Sequence, residues 1–283
     1  MSVVLISGAN SGIGELAALA FARAGHEVMA GSRSVARAAG LEGIAKTEGL
    51  RLAIAQLDVT DGASVTSAVR ETVERFGPVD VLVNNAGVVA SGPVELVAED
   101  TVRSTFETNF FGPLRLIRAV LPAMRARRAG AIILVGSLQG GVPAPGAGAY
   151  AASKQAAAAL SDALACEVEE FGIRVACVEV GPYRTGIAGK RSFEQPDPGP
   201  YATLLAGLRA RGARRMRESA EPDEVAAAIL DLAFRPSPPL RIPVGRHARH
   251  YLSSDTVRER FRSDLREELA RPGEPAAAWP DST

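Results

Sequence analysis

The chain has 283 residues, 47% of them apolar, and its 32 basic side chains balance 32 acidic ones. That size supports one large α/β domain or two small ones around a substantial core. Balanced charge, with no basic stretch interleaved with aromatics, excludes the footprint of a nucleic-acid binder.

The text opens on an apolar, strand-like run, Val3 to Ile6, with no charged leader and no long hydrophobic region. A cytoplasmic protein without signal peptide or membrane span is the expectation. Further strands are expected at Glu27 to Gly31, Leu50 to Leu57, Val79 to Asn84, Ala131 to Gly136 and Arg174 to Val180, the first running on to Ser7 and a last near Leu240 to Val244. Ala/Leu/Arg-rich helical patterns fill the gaps over 12–24, 62–76, 98–128 with a break, and 150–171. Strands that are apolar throughout are buried on both faces, and regular alternation with helices implies right-handed crossovers. The fold class read from this is α/β, a Rossmann-type doubly wound parallel sheet of about seven strands flanked by helices.

Between Val180 and Pro222, Gly186, Gly189, Pro196, Pro198, Gly199 and Pro200 mark a long irregular connection, which the basic helical stretch Tyr201 to Arg217 follows. A helix at about Glu221 to Phe234 and a turn at Pro236 to Pro239 lead towards the carboxy terminus. No linker interrupts the alternation, so residues 1–252 are read as a single domain. Residues 253–283 are read as a helical extension, near Ser254 to Ala270, and a disordered Pro/Ala tail. Cys166 and Cys177 lack zinc-ligand or CxxC spacing and read as small buried hydrophobes. His26, His247 and His250 are too scattered for a metal site, and the text around His247 reads as a strand leaving the core.

After the first strand comes Ser7-Gly8-Ala9-Asn10-Ser11-Gly12-Ile13-Gly14, leading into a helix. Glycines there let the backbone turn tightly and approach a pyrophosphate, while free amides and the helix dipole attract its charge. The second strand ends in Ser32-Arg33-Ser34, with no acid to accept bonds from ribose hydroxyls. Arg33 offers charge-assisted donors to a 2′-phosphate instead, so NADP(H) is expected over NAD(H). Asp58 stands where it reaches the adenine region or caps the helix that begins near Asp61.

Tyr150 and Lys154 stand four apart in Tyr-Ala-Ala-Ser-Lys, thirteen residues after Ser137. On a helix, residues i and i+4 share a face. An ammonium beside a phenol favours the phenolate and makes proton transfer to a carbonyl oxygen feasible near neutral pH, with Ser137 holding the same oxygen. Only Lys46, Lys154 and Lys190 are lysines in a chain whose other cations are arginines, so a lysine here points to a chemical requirement for a compact ammonium.

With these motifs in order, the chain resembles the short-chain dehydrogenase/reductases of the main type, about 250 residues long, over residues 1–245. The segment at 7–14 is similar to the family's TGxxxGIG, Asn84-Asn85-Ala86-Gly87 to its NNAG, Asn109 to its helix asparagine, Ser137 to its serine and Tyr150 with Lys154 to its YxxxK. The resemblance implies Asn109, Ser137, Tyr150 and Lys154 as the catalytic set. Tyr150 would be general acid or base, Lys154 its partner and a ligand of the nicotinamide ribose, and Asn109 the holder of a relay water where it interrupts its helix. A cap or kink is the other reading of Asn109.

Cofactor contacts follow at Gly8, Asn10, Ser11, Gly12, Ile13, Gly14, Arg33, Asp58, Val59, Asn85, Ala86, Gly87, Tyr150, Lys154, Gly181, Pro182 and Thr185. Asn84, Ala86 and Gly87 would line the adenosine side and stabilise the central sheet. Val180 replaces the family's usual proline before Gly181, which leaves the path of the nicotinamide loop open. Gly-Pro-Tyr-Arg-Thr at 181–185 and Arg-Ile-Pro-Val-Gly at 241–245 resemble the subgroup that includes retinol- and 17β-hydroxysteroid-type reductases. That likeness implies an apolar alcohol or ketone, with Leu138, Gln139, Val142, Tyr183, Phe193, Tyr201 and Leu204 as pocket walls or ordinary packing.

The expected function is NADP(H)-dependent interconversion of a carbonyl and a secondary alcohol. The alternatives are an NADP(H) sensor on the same fold, or a non-redox relative such as an epimerase or dehalogenase. A homodimer or homotetramer is expected through the helices that start near Gly112 and Tyr150.

Overall fold

Seven parallel strands form the centre of the protein in a computed structural model, which describes residues 1–184, 191–192, 199–218 and 221–254. In chain order they are β1 (Val3–Ser7), β2 (Glu27–Ser32), β3 (Leu52–Gln56), β4 (Val81–Asn84), β6 (Gly130–Val135), β7 (Ile173–Val180) and β9 (Arg241–Val244), arranged β3-β2-β1-β4-β6-β7-β9. A separate two-stranded sheet pairs β5 (Val89–Ala90) with β8 (Arg191–Ser192).

Between the strands run α1 (Gly12–Arg23), α2 (Ala39–Thr47), α3 (Gly62–Phe76), α4 (Glu99–Phe106), α5 (Gly112–Arg127), α6 (Leu138–Gly141), α7 (Gly148–Val168), α8 (Ala202–Glu218), α9 (Asp223–Phe234) and α10 (Arg246–Tyr251). Side chains alternate across the sheet, so consecutive apolar residues fill two different layers. Val4, Ile6, Val83, Ile133 and Val178 join Phe21 of α1 and Ile229 of α9 on one face. Leu5, Leu82, Ile132 and Leu134 join Val65 of α3, Leu116 of α5 and Ala157 of α7 on the other. Each fully buried aliphatic side chain contributes about 1.5–3 kcal/mol through its removal from water.

The order reverses around β1 and β4, and in open α/β sheets ligands bind at the carboxyl ends of strands at such a switch point. The turns after β1, β4, β6 and β7 carry Gly8, Asn85, Ser137 and Gly181 to that edge.

Some expectations are corrected. The chain between β2 and β3 contains α2, and the residues after β9 form the short helix α10 and not a strand leaving the core. Gly245, at φ +90°, turns the chain out of β9, a conformation that ends a strand. Cys177 is buried but Cys166 is exposed on α7. The extension from residue 255 onward, the Thr185 site and Phe193 lie outside the described residues. No helix among the described residues is long and apolar enough to cross a membrane.

Candidate active site

The turn after β1 is built for a close approach. Gly8 has φ +68°, and a Cβ there would meet the Ala86 Cα at 2.8 Å. At Gly14 it would lie 2.4 Å from both Asn85 Nδ2 and the Gly8 carbonyl oxygen. The Asn85 amide braces this turn by donating to the carbonyl oxygens of Ser7 and Gly8, both at 3.0 Å. Ser7 Oγ in turn accepts from the backbone N–H groups of Asn85, at 3.0 Å, and Ala86, at 3.1 Å. Ser11, ahead of α1, makes no side-chain cap, so the first-turn amides of α1 remain available to an anion.

A pocket opens over this turn, lined by Gly8, Asn10, Ser11, Gly12 and Ile13, by Arg33, and by Asp58, Val59, Asn85, Ala86 and Gly87. These expected cofactor residues therefore come together. Arg37 and Val88 also line it and were not anticipated; Arg37 lies one turn beyond Arg33, an Arg-x-x-x-Arg spacing that was the available signal. Arg33 and Arg37 are both exposed at this mouth. Ser32 Oγ donates to the Ser34 carbonyl at 2.8 Å and orders the loop that carries Arg33.

Asp58 does not cap α3. Asp61 does, accepting from the Ala63 N–H at 2.9 Å, while Asp58 accepts from the backbone and hydroxyl of Thr60. Asn84 belongs to the central sheet, as expected, but does not line the adenosine side. It ends β4 on the same face as Leu82, is buried away from the pocket, and its amide has no hydrogen-bond partner among the described residues.

The second half of the site lies on α7. Its buried stripe runs Tyr150, Ala151, Ser153, Lys154, Ala157, Ala158 and Ser161, the spacing of one helical face. Tyr150 and Lys154 thus sit one turn apart on the side facing the sheet, where an apolar residue would pack more cheaply. Lys154 Nζ donates to the Val135 carbonyl at 2.8 Å, just before Ser137. Burial brings the Lys154 ammonium down to about 8, and it pushes the neighbouring Cys177 thiol up to about 12.

Asn109 sits in a π-helical turn, Glu107–Phe111, between α4 and α5, and is 1% exposed. Its oxygen accepts from the Val88 N–H at 2.9 Å, and its amide donates to the Val88 carbonyl at 2.9 Å and to Ser153 Oγ at 3.0 Å. Ser153 Oγ then donates to the Tyr150 carbonyl at 2.7 Å, so Asn109 is tied to the helix that carries the tyrosine. Gly87 lies between the two halves: a Cβ there would be 3.4 Å from Asn109 Oδ1 and 3.6 Å from Lys154 Nζ. The break expected in the helix over 98–128 is this π-turn.

Ser137 caps α6, its Oγ accepting from the Gln139 N–H at 3.2 Å. Gly181 and Pro182 leave β7 beside it, since the Gly136 N–H bonds the Val178 carbonyl at 2.8 Å. Among the suggested wall residues, Leu138 and Val142 pack against Ala248 and Tyr251, and the Tyr201 hydroxyl donates to Glu95 at 2.6 Å. The contacts of Leu138 and Val142 are packing, and that of Tyr201 is a hydrogen bond.

The sequence profile described as short chain dehydrogenase matches residues 2–196. The chain belongs to the short-chain dehydrogenase family. It is 37% identical over 246 residues to the 3-ketodihydrosphingosine reductase of Bacteroides thetaiotaomicron, covering 86% of this chain and 87% of that one. It is 38% identical to retinol dehydrogenase 8 of Bos taurus, over 84% and 80% of the two chains.

Among solved structures, a short-chain dehydrogenase from Streptomyces avermitilis matches with a TM-score of 0.80 at 35% identity, over 96% and 98% of the chains. A gluconate 5-dehydrogenase from Burkholderia cenocepacia in complex with NADP and tartrate matches at 0.72 and 26% identity, over 89% and 96%. This short-chain dehydrogenase is an oxidoreductase of the kind that acts between CH–OH and C=O, and its glycine cradle fits a nicotinamide dinucleotide.

The buried ammonium gives a prediction about stability. Below about pH 8 both folded and unfolded chains hold the Lys154 proton, and the cost of burial is constant. Between about 8 and 10.5 the unfolded chain keeps a proton that the folded one has lost, so stability rises with pH in that window. Urea unfolding of the parent and of Lys154→Met should show the difference moving in the parent's favour by about 3 kcal/mol from pH 7.5 to 10.5. A difference that stays flat across the window contradicts this assignment.

Proposed function

We propose that this short-chain dehydrogenase is an NADP(H)-dependent reductase that interconverts an apolar carbonyl compound and its secondary alcohol, with Tyr150 as acid in reduction and base in oxidation. The observation that carries this reading is the placement of Tyr150 and Lys154 on the buried face of α7, across Gly87 from the glycine cradle. An ammonium kept on a buried face at that cost has a chemical use.

When bound, the nicotinamide supplies or accepts the hydride. Gly8, Asn10, Ser11, Gly12, Ile13 and Gly14 hold the pyrophosphate, and Asp58, Val59, Asn85, Ala86 and Gly87 the adenosine side. Arg33, with Arg37 behind it, pairs with a 2′-phosphate, which supports NADP(H) over NAD(H). Gly181 and Pro182 stand at the nicotinamide end, and the family resemblance adds Thr185 as a contact there. Ser137 Oγ hydrogen-bonds the substrate oxygen and Tyr150 gives it a proton. The Lys154 charge, one turn away, stabilises the phenolate left behind. Asn109 fixes α7 through Ser153, and its π-turn opens the helix ladder beside Lys154, which suits a relay water.

An apolar substrate is supported by the relatives named for 3-ketodihydrosphingosine and for retinol. The test is NADPH consumption and product analysis across long-chain ketones, retinoids, steroids and short aliphatic carbonyls. One alcohol formed per NADPH consumed, with long apolar substrates preferred, is the expected outcome. Tight NADPH binding with no product from any of them would favour a cofactor sensor.

A further inference from the structure

The segment that leaves β7 beside Ser137 is held from behind by groups the reaction does not use. Tyr183 is 8% exposed, and its hydroxyl donates to the carboxylate of Glu224 in the first turn of α9. The second oxygen of that carboxylate accepts from Arg249 of α10 at 3.0 Å. The ring end of Tyr183 lies over Gly245, where an added Cβ would come within 2.3 Å of the hydroxyl oxygen, so the residue that starts α10 is shaped around this tyrosine. Burial, and then the Glu224 carboxylate, push the phenol up, which keeps it a neutral donor.

Helix α10 also reaches the opposite wall. Ala248 and Tyr251 pack with Leu138, Val142 and Ala144, the residues that follow Ser137. Leu252 covers Gly141, where a Cβ would meet its Cδ2 at 2.5 Å. Gly181 itself lies against α10, a Cβ there being 3.5 Å from the Ala248 nitrogen. One short helix therefore touches the chain on both sides of the substrate end of the site.

We propose that Tyr183, Glu224 and Arg249 form a clasp through which α10 sets the position of residues 181–184, and with it the affinity for the nicotinamide cofactor. They are positioning residues, and the proposal rests on the reading of this edge as a nicotinamide site. The Tyr183 ring is buried, whereas the Glu224 and Arg249 side chains are 42% and 61% exposed, so the charge-assisted bond from the phenol carries the clasp and the exposed ion pair adds little. If its loss leaves the segment correctly placed about a tenth of the time, the apparent dissociation constant rises about tenfold.

Two measurements on the full chain test this: fluorescence titration with NADPH and NADH, and amide hydrogen exchange at residues 181–184 without cofactor. Tyr183→Phe, which keeps the ring, and Glu224→Ala are expected to weaken NADPH binding about tenfold and to speed exchange, with kcat at saturation near the parental value. Glu224→Gln, which keeps an acceptor for the phenol, is expected to recover most of both. A lower Tm with unchanged affinity and exchange would make the contact merely structural and overturn the clasp. A parent that binds neither nucleotide would overturn the nicotinamide reading instead, and the exchange rates would still decide whether the clasp holds the segment.

Discussion

Replacing Tyr150 by phenylalanine is expected to lower kcat by about a thousandfold or more while leaving the NADPH dissociation constant within about twofold of the parent. The ring of Tyr150 is buried on α7, and phenylalanine keeps its volume, so the helix and its contact with the sheet survive. Only the hydroxyl is lost, the group proposed to donate the proton. Ser137 can hold the substrate oxygen, but an aliphatic hydroxyl is a far weaker acid than a phenol and does not replace Tyr150 as the proton source. Retained turnover in Tyr150→Phe removes this residue from the acid role. Loss of NADPH binding in the same variant points to a structural fault and leaves the chemistry to be tested with a second substitution, Ser137→Ala.

Arg33→Asp is expected to raise the KM for NADPH about a hundredfold and to leave the KM for NADH unchanged or lower. Arg33 is exposed at the mouth of the pocket over the glycine turn, on a loop ordered by Ser32. Losing a charge-assisted pair costs about 1.5–3 kcal/mol, and placing a carboxylate against a phosphate adds repulsion. Arg37 remains and limits the loss. Selectivity that does not change shows that the 2′-phosphate is read elsewhere.

The sheet was legible because its strands are apolar on both faces, which leaves no competing periodicity, and because each motif falls directly after one of them. The glycine turn and Tyr150 with Lys154 were legible for the same reason: their spacings are local. Helix α2 was missed because Gly40 and Gly43 dilute its pattern. Helix α10 was missed because a glycine after a strand reads equally as a bulge or an end, and only the Gly245 φ decides.

Long-range facts were out of reach. That Asn85 and not Asn84 braces the turn depends on where β4 ends, with Asn84 held in the sheet and Asn85 in the turn beyond it. The descent of the Lys154 ammonium depends on which stripe of α7 is buried, and the Tyr183–Glu224–Arg249 contact joins residues far apart in the chain. Arg37 was overlooked since a four-residue arginine spacing is common on solvated surfaces.

In the proposed reaction hydride passes between a nicotinamide and a carbonyl carbon at this site while Tyr150 supplies the proton. The most direct measurement is mass spectrometry of the alcohol formed from a long-chain ketone with NADPH carrying deuterium at both hydrogens of the transferring carbon, run with the parent and with Tyr150→Phe. One non-exchangeable deuterium on the carbinol carbon with the parent, and no product with the variant, is the predicted result. An alcohol without deuterium, or equal labelled product from both proteins, would contradict the account.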